Sequence, residues 1–364
     1  MKCMIRALLA AGLAATLLTG CSLPTGSPVS GEEVSKGGGQ STITGNSSSQ
    51  VREPEPTQPQ LDLNPLTGVY DLAKGADYRP LAAMIGNNDR SRPQFGLEKA
   101  DLYFEAETEG GITRIMAVFA NASRVPEQLG PIRSARTPFV LLAQSMDVIY
   151  AHCGGSVHGL AAIKDLKIND IEGLIYDGTT YWRDAELRKK KGAEYSMMTS
   201  GELLDKRIAA KKYKTTTSRS APYVFGEKEG GQSAVSLDVY ISRLQKIYFR
   251  YNEQERLYYK YNGTSEKNEP HTMTNGVQLT AANVILMYDH LYKETDTPVT
   301  TYGFDLKSGG GSLYSGGTGR PIRWTRTADG LKFMEADGNV LSVAPGKTYV
   351  VLIRDDYAGN TVIK

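Results

Sequence analysis

The residues with chemistry to offer crowd into one stretch, ADLYFEAETEGGITRIMAVFANASRVPEQLGPIRSAR, residues 100 to 136. It carries an acidic run (Glu105, Glu107 and Glu109) and three arginines, Arg114, Arg133 and Arg136, with glycines at the corners. A guanidinium fork matches a carboxylate or a phosphate bidentately. These arginines, with Arg183 of YWRD as a fourth, predict an anion-binding cleft. The competing reading is that they pair with Glu105, Glu107 and Glu109 as a structural network, and the spacing leaves both open. Downstream, His152, Gly154, Gly155 and Ser156 of HCGGS join the predicted cleft. Two glycines before a helix N-terminus make an anion seat, and Ser156 is placed to cap that helix.

Other chemistries fit less well. Glu105 and Glu107, two apart on one strand face, could serve as an acid/base pair. Carboxylates beside arginines have depressed pKa values, however, which is the reverse of what a general acid needs. Cys153 with His152 as base is disfavoured because neighbours on a strand point to opposite faces. His152 and His158 are the only nearby soft ligands, and no HExxH or paired cysteine spacing occurs, so no metal site is expected. No cofactor is expected either.

The elements that must hold these residues follow from periodicity. DLYFEAETE alternates strictly, which is the period-2 signature of a strand with one buried face. Gly110-Gly111 gives a turn, and Ile112 to Phe119 a second strand that carries Arg114. TPFVLLAQSM predicts a helix with Pro138 in its first turn, DVIYAH a strand, and VHGLAAIKDL a helix. A basic helical segment ends near Tyr213. After Ser218 the texture turns β-rich, with KIYFRYN and RLYYKYN as a hairpin, then ANVILMYDH, GRPIRWTRT, LKFMEADGNVLSV and TYVVLIRDD. SGGGSLYSGGTG is expected to be a flexible glycine segment. The fold class is α/β (α+β): a mixed sheet with helices over residues 61–225, then a smaller β-rich C-terminal domain over 235–360.

The chain has 364 residues, enough for one large or two ordinary domains. Its start reads as a lipoprotein signal over residues 1–20: Lys2 and Arg6, an apolar run, then Leu18-Thr19-Gly20-Cys21. That ending resembles the bacterial lipobox, in which the cysteine is acylated and becomes the new N-terminus. Without Lys2 and Arg6 the chain holds 40 basic and 40 acidic residues, a neutral balance that argues against nucleic acid as a partner. Cys153 is then the only thiol of the folded part, so no disulfide forms there. Residues 21–60 are rich in Ser, Gly, Pro, Thr and Gln and predict a disordered tether. Such a chain has an r.m.s. reach of roughly 35 Å. Two acyl chains at about 0.8 kcal/mol per buried methylene anchor it stably.

RPLAAMIGNN with RPQFGLEKAD, then EGGITRIMAVF, GPIRSAR, HCGGS and YWRD, in this order behind a lipobox and tether, resemble the YerB-like lipoprotein family. In the second half NVILMYD and PIRWTR carry the similarity. The resemblance implies a mixed α/β N-terminal domain and a β-rich C-terminal one, both of unknown function, with no catalytic residues to carry over.

The sequence thus predicts a membrane-anchored, extracytoplasmic lipoprotein of the cell envelope that binds an anionic ligand. The ligand-binding set is Arg114, Arg133, Arg136, His152, Gly154, Gly155, Ser156, Arg183, Glu105 and Glu107, with Cys21 lipidated. Expected partners are the membrane, through the Cys21 lipid, and an envelope glycan, a phosphate-bearing ligand or a membrane protein. Two alternatives stand beside it. One is an envelope enzyme acting on a glycan or lipid-linked (pyro)phosphate; the other is a non-catalytic adaptor that docks a partner protein.

Overall fold

The strands β1 (Leu81–Gly86), β2 (Leu102–Glu107) and β3 (Thr113–Phe119) are buried at every position. Apolar runs buried on both faces are what a sheet covered on both sides requires. The two parities of β2 and β3 feed different cores. Tyr103, Ile115 and Ala117 belong to one, and Leu102, Phe104, Met116 and Val118 to the other. The computed structural model of the chain describes residues 60–226, 228, 230–263, 268–295 and 299–364. The signal, Cys21 and residues 21–59 of the expected tether lie outside the described residues.

The remaining elements are α1 (Thr137–Ser145), β4 (Ile149–His152), α2 (Val157–Asp165), β5 (Asp170–Glu172), α3 (Ala185–Lys191) and α4 (Gly201–Ala210). The second half adds β6 (Ser236–Tyr240), β7 (Lys246–Asn252), β8 (Leu257–Gly263), β9 (Asn283–Asp289), β10 (Leu291–Glu294) and β11 (Thr301–Phe304). It ends with β12 (Ser308–Ser315), β13 (Thr318–Thr327), β14 (Gly330–Glu335) and β15 (Thr348–Arg354).

Strands from both halves of the sequence share one 11-stranded sheet. Its path is residues 232–233, β13, β12, β9, β15, β2, β3, β1, β4, β5, with β14 on β13. The join is a parallel pairing of β15 with β2, Tyr349 opposite Tyr103 and Val351 opposite Glu105. Strands β9, β15, β2, β1, β4 and β5 run the same way and β3 runs against them. Their C-terminal ends therefore form one edge, where ligands of mixed and parallel sheets bind.

One core packs α4, through Leu204 and Ile208, and the second sheet, through Leu237, Phe249 and Tyr258. That second sheet is built on β8, β7 and β6. The other core packs α1, through Phe139 and Leu142, with Ile163 of α2 and Phe333 of β14. The architecture is α+β, as the sequence predicted.

Two expectations are corrected. The glycine segment SGGGSLYSGGTG is not flexible linker: Ser308–Ser315 is β12, and Gly316 and Gly317 supply the positive φ of the turn into β13. Gly311 sits where a Cβ would lie 2.4 Å from the Leu286 carbonyl oxygen, so a side chain there would clash with the strand. The basic segment is not one helix but two, separated by a strand at Met197–Thr199.

Candidate functional site

The C-terminal edge gathers most of the predicted residues but sorts them onto two faces. Ala106 lies opposite Arg114 and Glu107 opposite Thr113. Side chains alternate along a strand, so Arg114 shares a face with Ala106 and Met116, while Glu105 and Glu107 point to the other side. The competing reading, a network of the arginines with Glu105, Glu107 and Glu109, is thereby corrected for Glu105 and Glu107. Only Glu109, beyond the end of β2 where the chain turns through Gly110 and Gly111, reaches the arginine face.

There Glu109 takes two guanidinium groups at once. Arg114 Nη2 donates to its Oε1 at 2.5 Å, and Arg136 donates through Nη2 to Oε1 at 2.7 Å and through Nε to Oε2 at 2.8 Å. Arg114 also donates to the Ser134 carbonyl (2.7 Å), and Arg136 to that of Ala135 (2.8 Å). The side chains of Arg114 and Arg136 are 3% and 9% exposed, against 20% for Glu109. The group thus carries two buried positive charges on one negative charge. Burial, with the charge of Arg136 beside it, brings Arg114 from 12.5 down to about 9. Burial works against ionisation of Glu109, but Arg114 and Arg136 outweigh it and hold its carboxyl below the ordinary range.

Tyr150 of β4 feels both arginines, and burial nonetheless raises its hydroxyl. That hydroxyl and Thr137 Oγ1, next to Arg136, are buried without a partner among the described residues. The strand β11 packs against α1 and against the Glu109–Gly111 turn, bringing a second-half hairpin over this group.

The other predicted residues are engaged locally. Arg133 donates to the Glu194 carbonyl (2.6 Å) and carboxylate, and stacks on the Tyr195 ring at 4.8 Å. Gly86 makes room for it, because a Cβ there would lie 3.0 Å from Arg133 Cγ and 2.2 Å from Ser91 Oγ. Arg183 holds Asp177 (2.9 Å) and the Ala193 carbonyl (2.7 Å). Both nitrogens of the buried His152 are occupied, Nδ1 by the Gly154 carbonyl (2.8 Å) and Nε2 by Asp170 (3.3 Å). Ser156 caps α2 by accepting from Gly159 N at 3.0 Å.

The anion seat expected at Gly154-Gly155 already holds an anion of the chain itself. Glu172 accepts from the backbone N–H of Gly154, Leu174 and Ile175 at 2.6, 3.0 and 3.1 Å. Cys153 is no activated nucleophile, since burial and then Glu172 push its thiol up to about 11.

On the opposite face Glu105 is fully buried in a network the sequence did not reveal. Asn87 (2.7 Å) and Thr113 (2.6 Å) donate to Oε1, and Tyr349 (2.7 Å) donates to Oε2. Lys260 Nζ lies 3.4 Å from Oε2, 2.7 Å from Asn262 Oδ1 and 3.1 Å from His271 Nδ1. His271 Nε2 meets Gln94 Oε1 at 2.9 Å. Burial lowers Lys260 to about 8 and drives His271 well below its ordinary value. The one available signal was in β8, where Tyr258, Lys260 and Asn262 share the inward parity of LYYKYNG.

Glu107 is distinct again. Burial raises its carboxyl to about 7, with Arg354 opposing, and its Oε2 has no partner among the described residues. No cluster of three or more His, Cys, Asp or Glu suited to a metal ion occurs among the described residues. None of their helices is long and apolar enough to cross a membrane.

Comparison with known proteins agrees with the motif reading. The chain matches the N-terminal domain of "Protein of unknown function (DUF3048)" over residues 66–214 and its C-terminal domain over 237–350. It is 30% identical over 302 residues to the protein named "Putative lipoprotein YerB" of Bacillus subtilis (strain 168), covering 80% of this chain and 86% of that one. The crystal structure of YerB protein from Bacillus subtilis is similar with a TM-score of 0.70 at 26% identity, over 82% of this chain and 98% of that one. The first matched segment contains β2 and the second runs into the start of β15, and by these matches the chain belongs to the DUF3048 family, the YerB-like proteins.

Proposed function

We propose that this protein is a lipid-anchored, extracytoplasmic lipoprotein that binds an anionic envelope ligand at the Arg114–Arg136–Glu109 group. The observation that carries the reading is the charge imbalance: two buried guanidinium groups share one carboxylate. Glu109 acts as a resident anion on a turn whose glycines, Gly110 and Gly111, both have positive φ. A phosphate or carboxylate of the ligand takes its place or joins it, meeting guanidinium forks already fixed by the Ser134 and Ala135 carbonyls. The Tyr150 and Thr137 hydroxyls are further donors for the incoming oxygens. The lipobox at Cys21 and the relative's printed name support the anchor.

Thermal melts with pyrophosphate test the site. The parent is expected to rise in melting temperature and Arg136→Gln to rise far less. A parent that does not respond counts against the seat. For the anchor, Cys21→Ala is expected to abolish acylation and membrane fractionation.

Glu107 favours a second reading, an envelope enzyme with this carboxyl as general acid, because its pKa lies near 7. It faces away from the arginines, so it would act on a ligand held on the other side of β2. Loss of turnover in Glu107→Gln on a lipid-linked pyrophosphate would establish it; a parent without turnover would dismiss it.

A further inference from the structure

We propose that the C-terminal edge of the large sheet is a docking surface for an anionic lipid bilayer, with the arginine group at its centre. Five aliphatic side chains, between 42% and 71% exposed, stand out from this edge. Val157 and Leu160 start α2, Leu174 and Ile175 follow β5, and Leu244 sits on the turn between β6 and β7. Clustered exposed aliphatic groups mark contact with a membrane or a partner.

Contacts with three glycines and one shared carbonyl fix where these side chains lie. A Cβ on Gly154 would meet Leu174 Cδ1 at 3.5 Å, and one on Gly155 would meet Leu160 Cδ2 at 2.7 Å, so the two leucines flank adjacent residues. The Ala135 carbonyl that accepts from Arg136 also accepts from the backbone N–H of Ser156, the cap of α2. A Cβ on Gly111, two residues beyond Glu109, would lie 3.3 Å from Leu244 Cδ1, and Ser242 donates to the Gly111 carbonyl at 2.6 Å. Leu244 belongs to the layer on one face of the sheet and α2 to the layer on the other. The aliphatic tips therefore bracket the Arg114–Arg136–Glu109 group.

Charge selects a bilayer over a protein. Arg243, beside Leu244, is exposed, and so is Lys164, four residues after Leu160 on the same helix face. Arg207 and Lys211 lie over the ring of Tyr176, next to Ile175, at 3.9 and 5.6 Å. The carboxylates Glu109, Glu172 and Asp177 of this edge are each already held, by two arginines, by three backbone N–H groups and by Arg183. Aliphatic tips fringed by cations match acyl chains under anionic headgroups. That the buried guanidinium groups meet a headgroup phosphate there rests on the anion-seat reading, and that the edge stays near lipid rests on the Cys21 anchor.

Quenching of tryptophan by brominated acyl chains tests the surface, with the full acylated chain reconstituted on vesicles of phosphatidylglycerol and phosphatidylcholine. Ile175→Trp and Leu244→Trp are expected to be quenched beyond the parent, whose own tryptophans are Trp182 and Trp324, whereas Val340→Trp is not. Val340 is 53% exposed on the turn after β14, at the opposite end of the sheet. Arg243→Gln should lower the ratio of docked to undocked chains about fivefold, and vesicles of phosphatidylcholine alone should release the edge. Chains that float with the vesicles in high salt but show no quenching beyond the parent keep the anchor and overturn the docking. Equal quenching of all three introduced tryptophans, or quenching undiminished on phosphatidylcholine alone, overturns it too. Quenching at both edge positions with flotation lost in high salt retains the docking and removes the anchor. A chain that never floats overturns both, and the anion seat is read separately, by pyrophosphate.

Discussion

Replacing Lys260 with methionine keeps most of the aliphatic stem but removes the charge from a side chain that is 1% exposed. Glu105 then loses the one ion-pair partner it has among the described residues and keeps three neutral donors, Asn87, Thr113 and Tyr349. Removing one member of a buried ion pair costs about 3–5 kcal/mol. The surviving hydrogen bonds place this case at the lower end, about 3 kcal/mol. At roughly 2 °C per kcal/mol for a folded body of this size, the melting temperature falls by about 6 °C. Adding Glu105→Gln removes the stranded charge, so the double variant should be less destabilised than the sum of the singles.

The pH dependence sharpens the test. Burial lowers Lys260 to about 8 in the folded chain, below the ordinary lysine value, so between the two the unfolded chain binds more protons. Stability of the parent therefore rises with pH from about 8 to 10, by at most about 1.4 kcal/mol per unit. The methionine variant lacks this rise. Denaturant melts of both proteins at pH 7 to 10 should show a widening gap in favour of the parent. A variant within about 1 kcal/mol of the parent at pH 7, with parallel pH profiles, would refute the buried-pair reasoning.

Two further predictions concern neighbouring groups. Glu107 has a folded pKa raised to about 7, so the stability it contributes in its protonated form is present below pH 4.5 and lost as pH rises through 7; Glu107→Gln should match the parent at pH 5 and melt higher at pH 8, and equal melts at both pH values would contradict this. Cys153, with its thiol pushed up to about 11, should react with iodoacetamide at pH 8 at least about a hundredfold more slowly in the folded than in the unfolded chain, followed by peptide mass mapping; equal rates would show an open thiolate.

The sequence was most informative where one local rule decides. Alternation located β2, Pro138 marked the first turn of α1, and Ser156 ahead of an apolar run marked the cap of α2. It was least informative about register. The turn through Gly110-Gly111 sets which residues face each other across β2 and β3, and its length was not readable from two glycines. That register, not composition, turns Glu105 and Glu107 away from Arg114 and leaves Glu109 as the partner. Lys260 and Tyr349 reach Glu105 from more than 150 residues away, through the second sheet and the parallel join of β15 to β2, and His271 joins them through Lys260. Long-range pairings of this kind leave no periodic trace, except the lysine at an inward position of β8. The glycines of β12 were misleading for a related reason: they permit close packing of strands as readily as they permit a loop.

The central claim is that Glu109 occupies a seat built for a ligand anion, and calorimetric titration of pyrophosphate into the parent, Glu109→Gln and Arg136→Gln tests it most directly. If the carboxylate is a resident competitor, its removal leaves two guanidinium groups open, and Glu109→Gln should bind pyrophosphate about tenfold or more tightly than the parent. Arg136→Gln should bind it about tenfold or more weakly. If pyrophosphate binds none of the three, or binds the parent and Glu109→Gln equally, the three side chains are a structural ion network and the proposed site is wrong.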